Sequence, residues 1–198
     1  MGSMPLLCQL GKCQRYDTRF ASIFLKPPPL FSIEFLFMEN HGMIHINRIE
    51  PVDYLVIGHI TQDVTENGLC LGGTATFASL TAKALGLRVG VVTSITPDLI
   101  LDELDGISID NIPSEQNTTF KNIYTSTGRT QYLFHKAETI NASHIPSTWL
   151  NTPIVHLGPV AQEIDPNLPR IFNNSFIGIT PQGWLRNWDN KGVVHRTE

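Results

Sequence analysis

The sequence predicts an α/β fold built on a parallel sheet, and three observations lead there. Continuous apolar runs such as Tyr54-Leu55-Val56-Ile57 suit strands buried on both faces. A helical segment from Gly72-Gly73-Thr74 to Leu85 separates that run from a second one, Arg88–Thr93. Strand, helix and strand in this order make a right-handed parallel unit. The middle of the chain is different, with short β-prone pieces whose outward faces are polar.

Residues 1–50 mix Pro-rich, aromatic and basic pieces without a sustained period of 2 or 3.6. They read as a poorly ordered N-terminal extension, translated upstream of a natural start at Met38 or Met43, or else as a short element packing through Phe31–Phe37. Order begins at Asp53, and the first strand ends at Gly58. In the helix, Phe77, Leu80, Ala84 and Leu85 are spaced to share one apolar face, and Gly86 is placed to end it.

Ile107–Ile112, Thr118–Thr125 and Arg129–His135 are predicted as antiparallel strands outside the parallel core, the last two joined by Ser126-Thr127-Gly128. Ile154–Gly158 and Phe176–Thr180 are further buried strands. Asp165–Phe172 is weakly helical because Pro166 and Pro169 limit it. No completed element is expected from Gly183 to the C-terminus.

Composition narrows the function. Of 198 residues 41% are apolar, enough for a sizeable core, and only 16% are charged, with 14 Lys plus Arg against 18 Asp plus Glu. A net charge of −4 argues against a nucleic-acid surface spread over the chain and against disorder. No apolar run approaches the roughly 20 residues that span a bilayer. Lys12, Arg15 and Arg19 precede an apolar patch at Ile23–Leu25, but that patch is too short for a signal peptide and Pro27-Pro28-Pro29 follows it. Cys8, Cys13 and Cys70 form no disulfide framework, which points to a reducing, cytoplasmic setting.

Neither G-x-x-x-x-G-K-[ST] nor G-x-G-x-x-G occurs, so a P-loop or a standard dinucleotide site is not expected. G-x-S-x-G is absent too, and the seven His are scattered without zinc-ligand spacing. Gly72-Gly73 before a helix would let a ligand approach backbone N–H groups, or it is an ordinary loop-to-helix turn. Asp63 lies just past the first strand's C-terminal end, where open α/β sheets bind ligands. It would accept hydrogen bonds from hydroxyls there, or it is a surface turn residue. The segment Thr180–Asp189 brings Trp184, Arg186 and Trp188 together, either lining a pocket or packing the two indoles.

Taken together, the strand ending in Gly58, Asp63, Gly72-Gly73 before a helix, and Leu85-Gly86-x-x-Val89-Gly90-x-Val92-Thr93 resemble the N-terminal half of the ribokinase-like (PfkB) carbohydrate kinases. The hairpin Thr118–Leu133 resembles that family's β lid, and Pro153–Pro159 and the strand ending Thr180–Trp184 resemble its next core strands. The resemblance covers residues 52–190 or so. It implies an incomplete Rossmann-like α/β/α sandwich of ribokinase type with a small β-sheet lid. Residues 51–198 would be a truncated carbohydrate-kinase-like domain, with lid strands in about 107–135. It further implies ATP-dependent phosphorylation of a hydroxyl on a sugar, polyol or nucleoside. Asp63, Gly72 and Gly73 would be on the substrate, and Phe120, Tyr124 and Tyr132 in a lid closing over it. A homodimer through the lid is also implied.

Two departures follow. Phe77 stands at the substrate-binding position where the family commonly has Asn. The family's G-x-G-D, with its anion hole and catalytic base, is missing, since no Asp follows a Gly anywhere in the chain, and the N-x-x-E associated with magnesium is not recognisable. Complete relatives use ATP and Mg, and neither is expected to bind well here. No residue of this chain is assigned as a catalytic base or metal ligand, and no kinase activity is expected from it alone. Two other readings compete: a non-catalytic sugar-binding or protein-interaction module, and a Rossmann-type nucleotide enzyme of another class.

Overall fold

A computed structural model describes residues 49–197. The expected N-terminal extension therefore lies, apart from its last two residues, outside the described residues. In chain order the elements are β1 (Tyr54–Ile57), β2 (Thr61–Thr65), β3 (Gly68–Gly72), α1 (Gly73–Ala84), β4 (Val89–Ile95) and β5 (Ser108–Pro113). Then follow β6 (Thr119–Thr125), β7 (Gly128–His135), β8 (Ile154–Leu157), β9 (Phe176–Ile179), β10 (Arg186–Trp188) and β11 (Val194–Arg196).

β5, β4, β1, β8 and β9 lie in that order in one sheet, and every pairing is parallel. β1 is central, with Tyr54 level with Val89 and Ile154, and Ile57 level with Val92 and Leu157. Side chains alternate between faces, so β1 and β4 feed two cores, while β8 feeds one. Leu55, Ile57, Val92, Val155 and Leu157 pack against Trp149, Ile164, Leu168 and Phe172, which come from loops and short 3-10 turns. Val56, Val89 and Val91 pack against α1 through Ala75 and Ala82. Each such aliphatic side chain stabilises the fold by roughly 1.5–3 kcal/mol when fully buried. This double burial is why β1 and β4 read as unbroken apolar runs, whereas β9, expected to be buried, is an edge strand with Phe176 and Ile179 exposed.

The helix buries a different face from the one its large side chains suggest. Ala75, Thr76, Ser79 and Ala82 face the sheet, whereas Phe77 and Leu85 are 55% and 77% exposed. Small residues let the helix sit close to the strands. The polarity of that face is satisfied locally, because Thr76 Oγ1 donates to the Gly72 carbonyl at 2.6 Å and Ser79 Oγ to the Thr76 carbonyl at 2.9 Å. Gly86, with φ +85°, follows the helix end as its sequence position predicts.

Two expectations are corrected here. Residues 107–112 do not belong to the lid. They supply β5, a parallel edge strand of the main sheet, with Gly90 opposite Ser108. An edge strand tolerates polar residues such as Ser108 and Asp110, and this made the segment look detached from the core. The lid is instead a four-stranded sheet in the order β3-β2-β6-β7. Its β2–β3 hairpin turns at Glu66-Asn67, before Gly68 at φ +116°.

The tail is also ordered. β10 and β11 pair antiparallel, and Asp189 Oδ1 accepts the N–H groups of Lys191 and Val193 across the turn, each at 2.9 Å. The Leu133 N–H donates to the Gly192 carbonyl at 2.8 Å, tying this hairpin to β7. Trp188 and Val194 pack with Phe120, Leu133, Val160 and Ala161 in a small core beneath the lid. Trp184 packs into the main core and its indole N–H donates to the Ile164 carbonyl at 3.0 Å, so both indoles have packing roles.

Candidate functional site

The site forms where the lid meets the C-terminal ends of β1 and β8. A buried polar knot fixes that junction. His59, two residues beyond β1, is fully buried. Its Nε2 lies 2.8 Å from the Glu138 carbonyl, which can only accept, so Nε2 carries the proton. Its Nδ1 then accepts from the Thr118 hydroxyl at 2.6 Å, and that hydroxyl accepts the Ala137 N–H at 2.9 Å. One imidazole thus pins both ends of the β6–β7 hairpin to the main sheet. Burial pushes its pKa below the usual value, against the pull of nearby Glu163.

Asp63 sits mid-way along β2, level with Cys70 on β3 and Phe120 on β6. Residues paired in register share a face. Continuing across β7, Phe120 faces Leu133, Asn122 faces Gln131, and Tyr124 faces Arg129. Asp63, Phe120, Asn122, Tyr124, Gln131 and Arg129 therefore lie on one face, the one turned to the core where Phe120 and Leu133 are buried. The Asp63 carboxylate is mostly buried and makes no hydrogen bond or ion pair with any of the described residues. Burial raises its pKa, and the charges of Arg129 and Arg186 oppose that rise.

The two glycines have separate jobs. A Cβ on Gly72 would lie 2.8 Å from Asp63 Oδ2, so the missing side chain makes room for the carboxylate. Gly73 has φ +87°, and a Cβ there would lie 2.6 Å from the His59 carbonyl oxygen.

Opposite the lid, β10 contributes Arg186. Its guanidinium sits 5.9 Å from the centre of the Phe120 ring, and Nη1 donates to the Val160 carbonyl at 3.4 Å. Burial lowers its pKa and so does Arg129, while Glu163 and Asp63 oppose that fall. Arg186 shares an open pocket of about 320 Å³ with Arg129, Gln131, Gln182, His195 and Arg196.

No family model matches this chain, and no curated protein does. Solved structures do match. One, reporting the conversion of a pyrophosphate-dependent myo-inositol-1 kinase into a myo-inositol-3 kinase, is 20% identical, covering 72% of this chain and 52% of its own, with a TM-score of 0.59. A sulfate complex of a pyrophosphate-dependent kinase in the ribokinase family is 23% identical over 72% of this chain and 55% of its own, at TM-score 0.57. A pyrophosphate-dependent kinase in the ribokinase family, complexed with a pyrophosphate analog and myo-inositol, is 24% identical over 72% and 54%, at 0.55.

The fold is of the ribokinase type. The parallel sheet, with α1 on one face and loops and 3-10 turns on the other, matches the ribokinase-type α/β/α core incompletely and carries a β lid, and the chain spans about half the length of the ribokinase-type structures it matches. On this ribokinase-type frame, Asp63, Gly72 and Gly73 come together, and Phe120 and Tyr124 share the lid face of Asp63. Tyr132 does not. It pairs with Lys121, level with Val64, and lies on the lid's outer face, so it is not positioned to close over Asp63. Phe77 is apart as well, lining an open apolar groove on α1 with Tyr54, Leu85 and Ile154.

Sequence reasoning missed the arginines as a group. Arg186 belongs to the tail segment singled out above, but Arg129 and Arg196 reach it only through strand register. The turn signal Asp189-Asn-Lys-Gly192 between Arg-Asn-Trp and Val-His-Arg would have revealed the second hairpin. Among the described residues, no group of three His, Cys, Asp or Glu is arranged to hold a metal ion, and no helix is long and apolar enough to cross a membrane.

Proposed function

We propose that this chain is the substrate-binding part of a ribokinase-type carbohydrate kinase, and that it holds a sugar, polyol or nucleoside between lid and sheet. One observation carries the reading. Asp63 presents a mostly buried carboxylate without a protein partner among the described residues, backed by the space at Gly72 and facing the aromatic lid residues Phe120 and Tyr124. A buried carboxylate without donors is costly, and vicinal hydroxyls supply them. The myo-inositol bound in one structure of the same fold supports a polyol over an apolar ligand. Gly72 and Gly73 bring backbone N–H groups to the same ligand, and Phe77 takes no direct part.

Calorimetry against a panel of polyols, sugars and nucleosides tests this. Binding that Asp63→Asn weakens roughly ten- to hundredfold is expected from the loss of charge-assisted hydrogen bonds. A folded protein that binds none of them refutes it.

In the whole enzyme the reading implies transfer of a phosphoryl group from ATP, with Mg, to a substrate hydroxyl. The described residues do not fit those two groups, since they contain neither a Gly-Asp base nor a metal-holding cluster. We propose accordingly that these 198 residues bind substrate without phosphorylating it. The reading also includes a cytoplasmic location, an N-terminal extension over residues 1–50 and pairing of two lids. The exposed outer-face residues Leu69, Ile123 and Phe134 support lid pairing.

A further inference from the structure

The pocket lined by Arg129, Arg186 and Arg196 concentrates positive charge, and two of these arginines act electrostatically on Asp63. In the β10–β11 hairpin Arg186 lies directly opposite Arg196, with Asn187 opposite His195. Like charges placed opposite each other across an antiparallel pair destabilise it. Arg129, from β7, joins them in the same pocket of about 320 Å³. The nearby carboxylates Glu163 and Asp63 offset the charge of Arg186, but among the described residues none of the three arginines makes an ion pair. Glu163 is committed to the backbone N–H groups of His59, Val160 and Ala161, and Asp63 makes no ion pair within the described residues. Arg186 cannot swing away freely, because its guanidinium is held over the Phe120 ring and against the Val160 carbonyl.

From this geometry we infer that Arg129, Arg186 and Arg196 form a binding site for a phosphoryl group, with Gln131 and Gln182 as neutral donors at its edge. Three arginines lining one open pocket match a dianion with several equivalent oxygens better than a single carboxylate. The phosphate has two sources: a phosphorylated sugar or polyol whose hydroxyls reach Asp63, or an inorganic donor such as pyrophosphate. The site stands on its own charges. Only the choice of source rests on the polyol reading above.

The test is calorimetry on the full chain at low salt with three probes: inorganic phosphate, pyrophosphate and a hexose 6-phosphate. Arg129 and Arg196 are exposed, so the R129Q/R196Q double variant should fold, and thermal melts check it. Binding that weakens with added salt, and that R129Q/R196Q reduces roughly ten- to hundredfold, is expected. Pyrophosphate binding without hexose-phosphate binding assigns the site to a donor, and hexose phosphate binding well above inorganic phosphate assigns it to the substrate. D63N should tighten inorganic phosphate by removing a competing negative charge. If unphosphorylated polyols fail while phosphate still binds, the Asp63 reading falls and this one stands. The inference is overturned if folded wild-type chain binds none of the three probes, or if R129Q/R196Q binds them as well as wild type.

Discussion

The Glu163 carboxylate accepts the backbone N–H of His59 at 3.1 Å across a sequence separation of 104 residues. The same side chain accepts the Val160 N–H at 2.9 Å and the Ala161 N–H at 2.6 Å, and it is fully buried. It ties the exit of β1 to the loop after β8, the two segments under the lid. Glu163→Gln puts an NH2 among N–H donors while keeping the volume. The variant should lose about 2–4 kcal/mol of stability, the usual cost of breaking a buried charged hydrogen-bond network. Urea unfolding measures this, and an unchanged midpoint would contradict the role assigned to Glu163.

Acid should loosen the fold early. Burial holds the pKa of both His59 and His156 below the usual 6.5. The unfolded chain therefore binds more protons than the folded one just below that value, and stability rises with pH there. Their contribution is fully present above about pH 6.5 and is lost as pH falls through the depressed folded values. His156 is held between Tyr54 Oη and Thr180 Oγ1, each at 2.7 Å. Melting temperature should decline from about pH 7 toward pH 5, and His156→Gln should flatten part of that slope. A flat profile over this range would show that neither imidazole is kept neutral by the fold.

Gly72→Ala tests the space that Gly72 leaves for the Asp63 carboxylate. The added Cβ would lie 2.8 Å from Asp63 Oδ2 and 2.9 Å from Thr61 Oγ1, so the carboxylate must swing away. Ligand affinity should drop roughly ten- to hundredfold, the scale of charge-assisted hydrogen bonds, and crowding of the buried Thr61 should cost roughly 1–3 kcal/mol of stability. Calorimetry and thermal melts on one preparation decide it, and full affinity in the variant would remove Asp63 from the site.

The two lid tyrosines should behave differently. Tyr124 shares the face of Asp63 and pairs with Arg129, whereas Tyr132 lies on the outer face beside Phe134, with ring centres 6.4 Å apart. Tyr124→Ala should weaken ligand binding, and Tyr132→Ala should leave it intact while altering lid self-association. Binding assays run beside light scattering distinguish the two. Equal loss of binding in both variants would contradict the face assignment.

Sequence alone made β1, β4, β8 and β9 legible as apolar runs, continuous in β1 and β4 because those strands are buried on both faces, although β9 is an edge strand with Phe176 and Ile179 exposed. It located α1 between Gly72-Gly73 and Gly86, and it marked Asp63 by position at the end of the first strand. It misjudged the helix face, because close packing on a sheet selects Ala75, Ser79 and Ala82 over the larger Phe77 and Leu85. It left β2 and β3 out of the lid, because the inward residues of β2 are polar, those of β3 are Gly68, Cys70 and Gly72, and Asp63 looks like a turn residue in Thr-Gln-Asp-Val. What only the tertiary structure decided is the company these residues keep. Register puts Arg186 against Arg196, turns Tyr132 away from Asp63 and buries His59 beneath the lid. Pairing between distant strands leaves no local periodicity to read, so the juxtaposition of Arg129, Arg186 and Arg196 exists only once the sheets have formed.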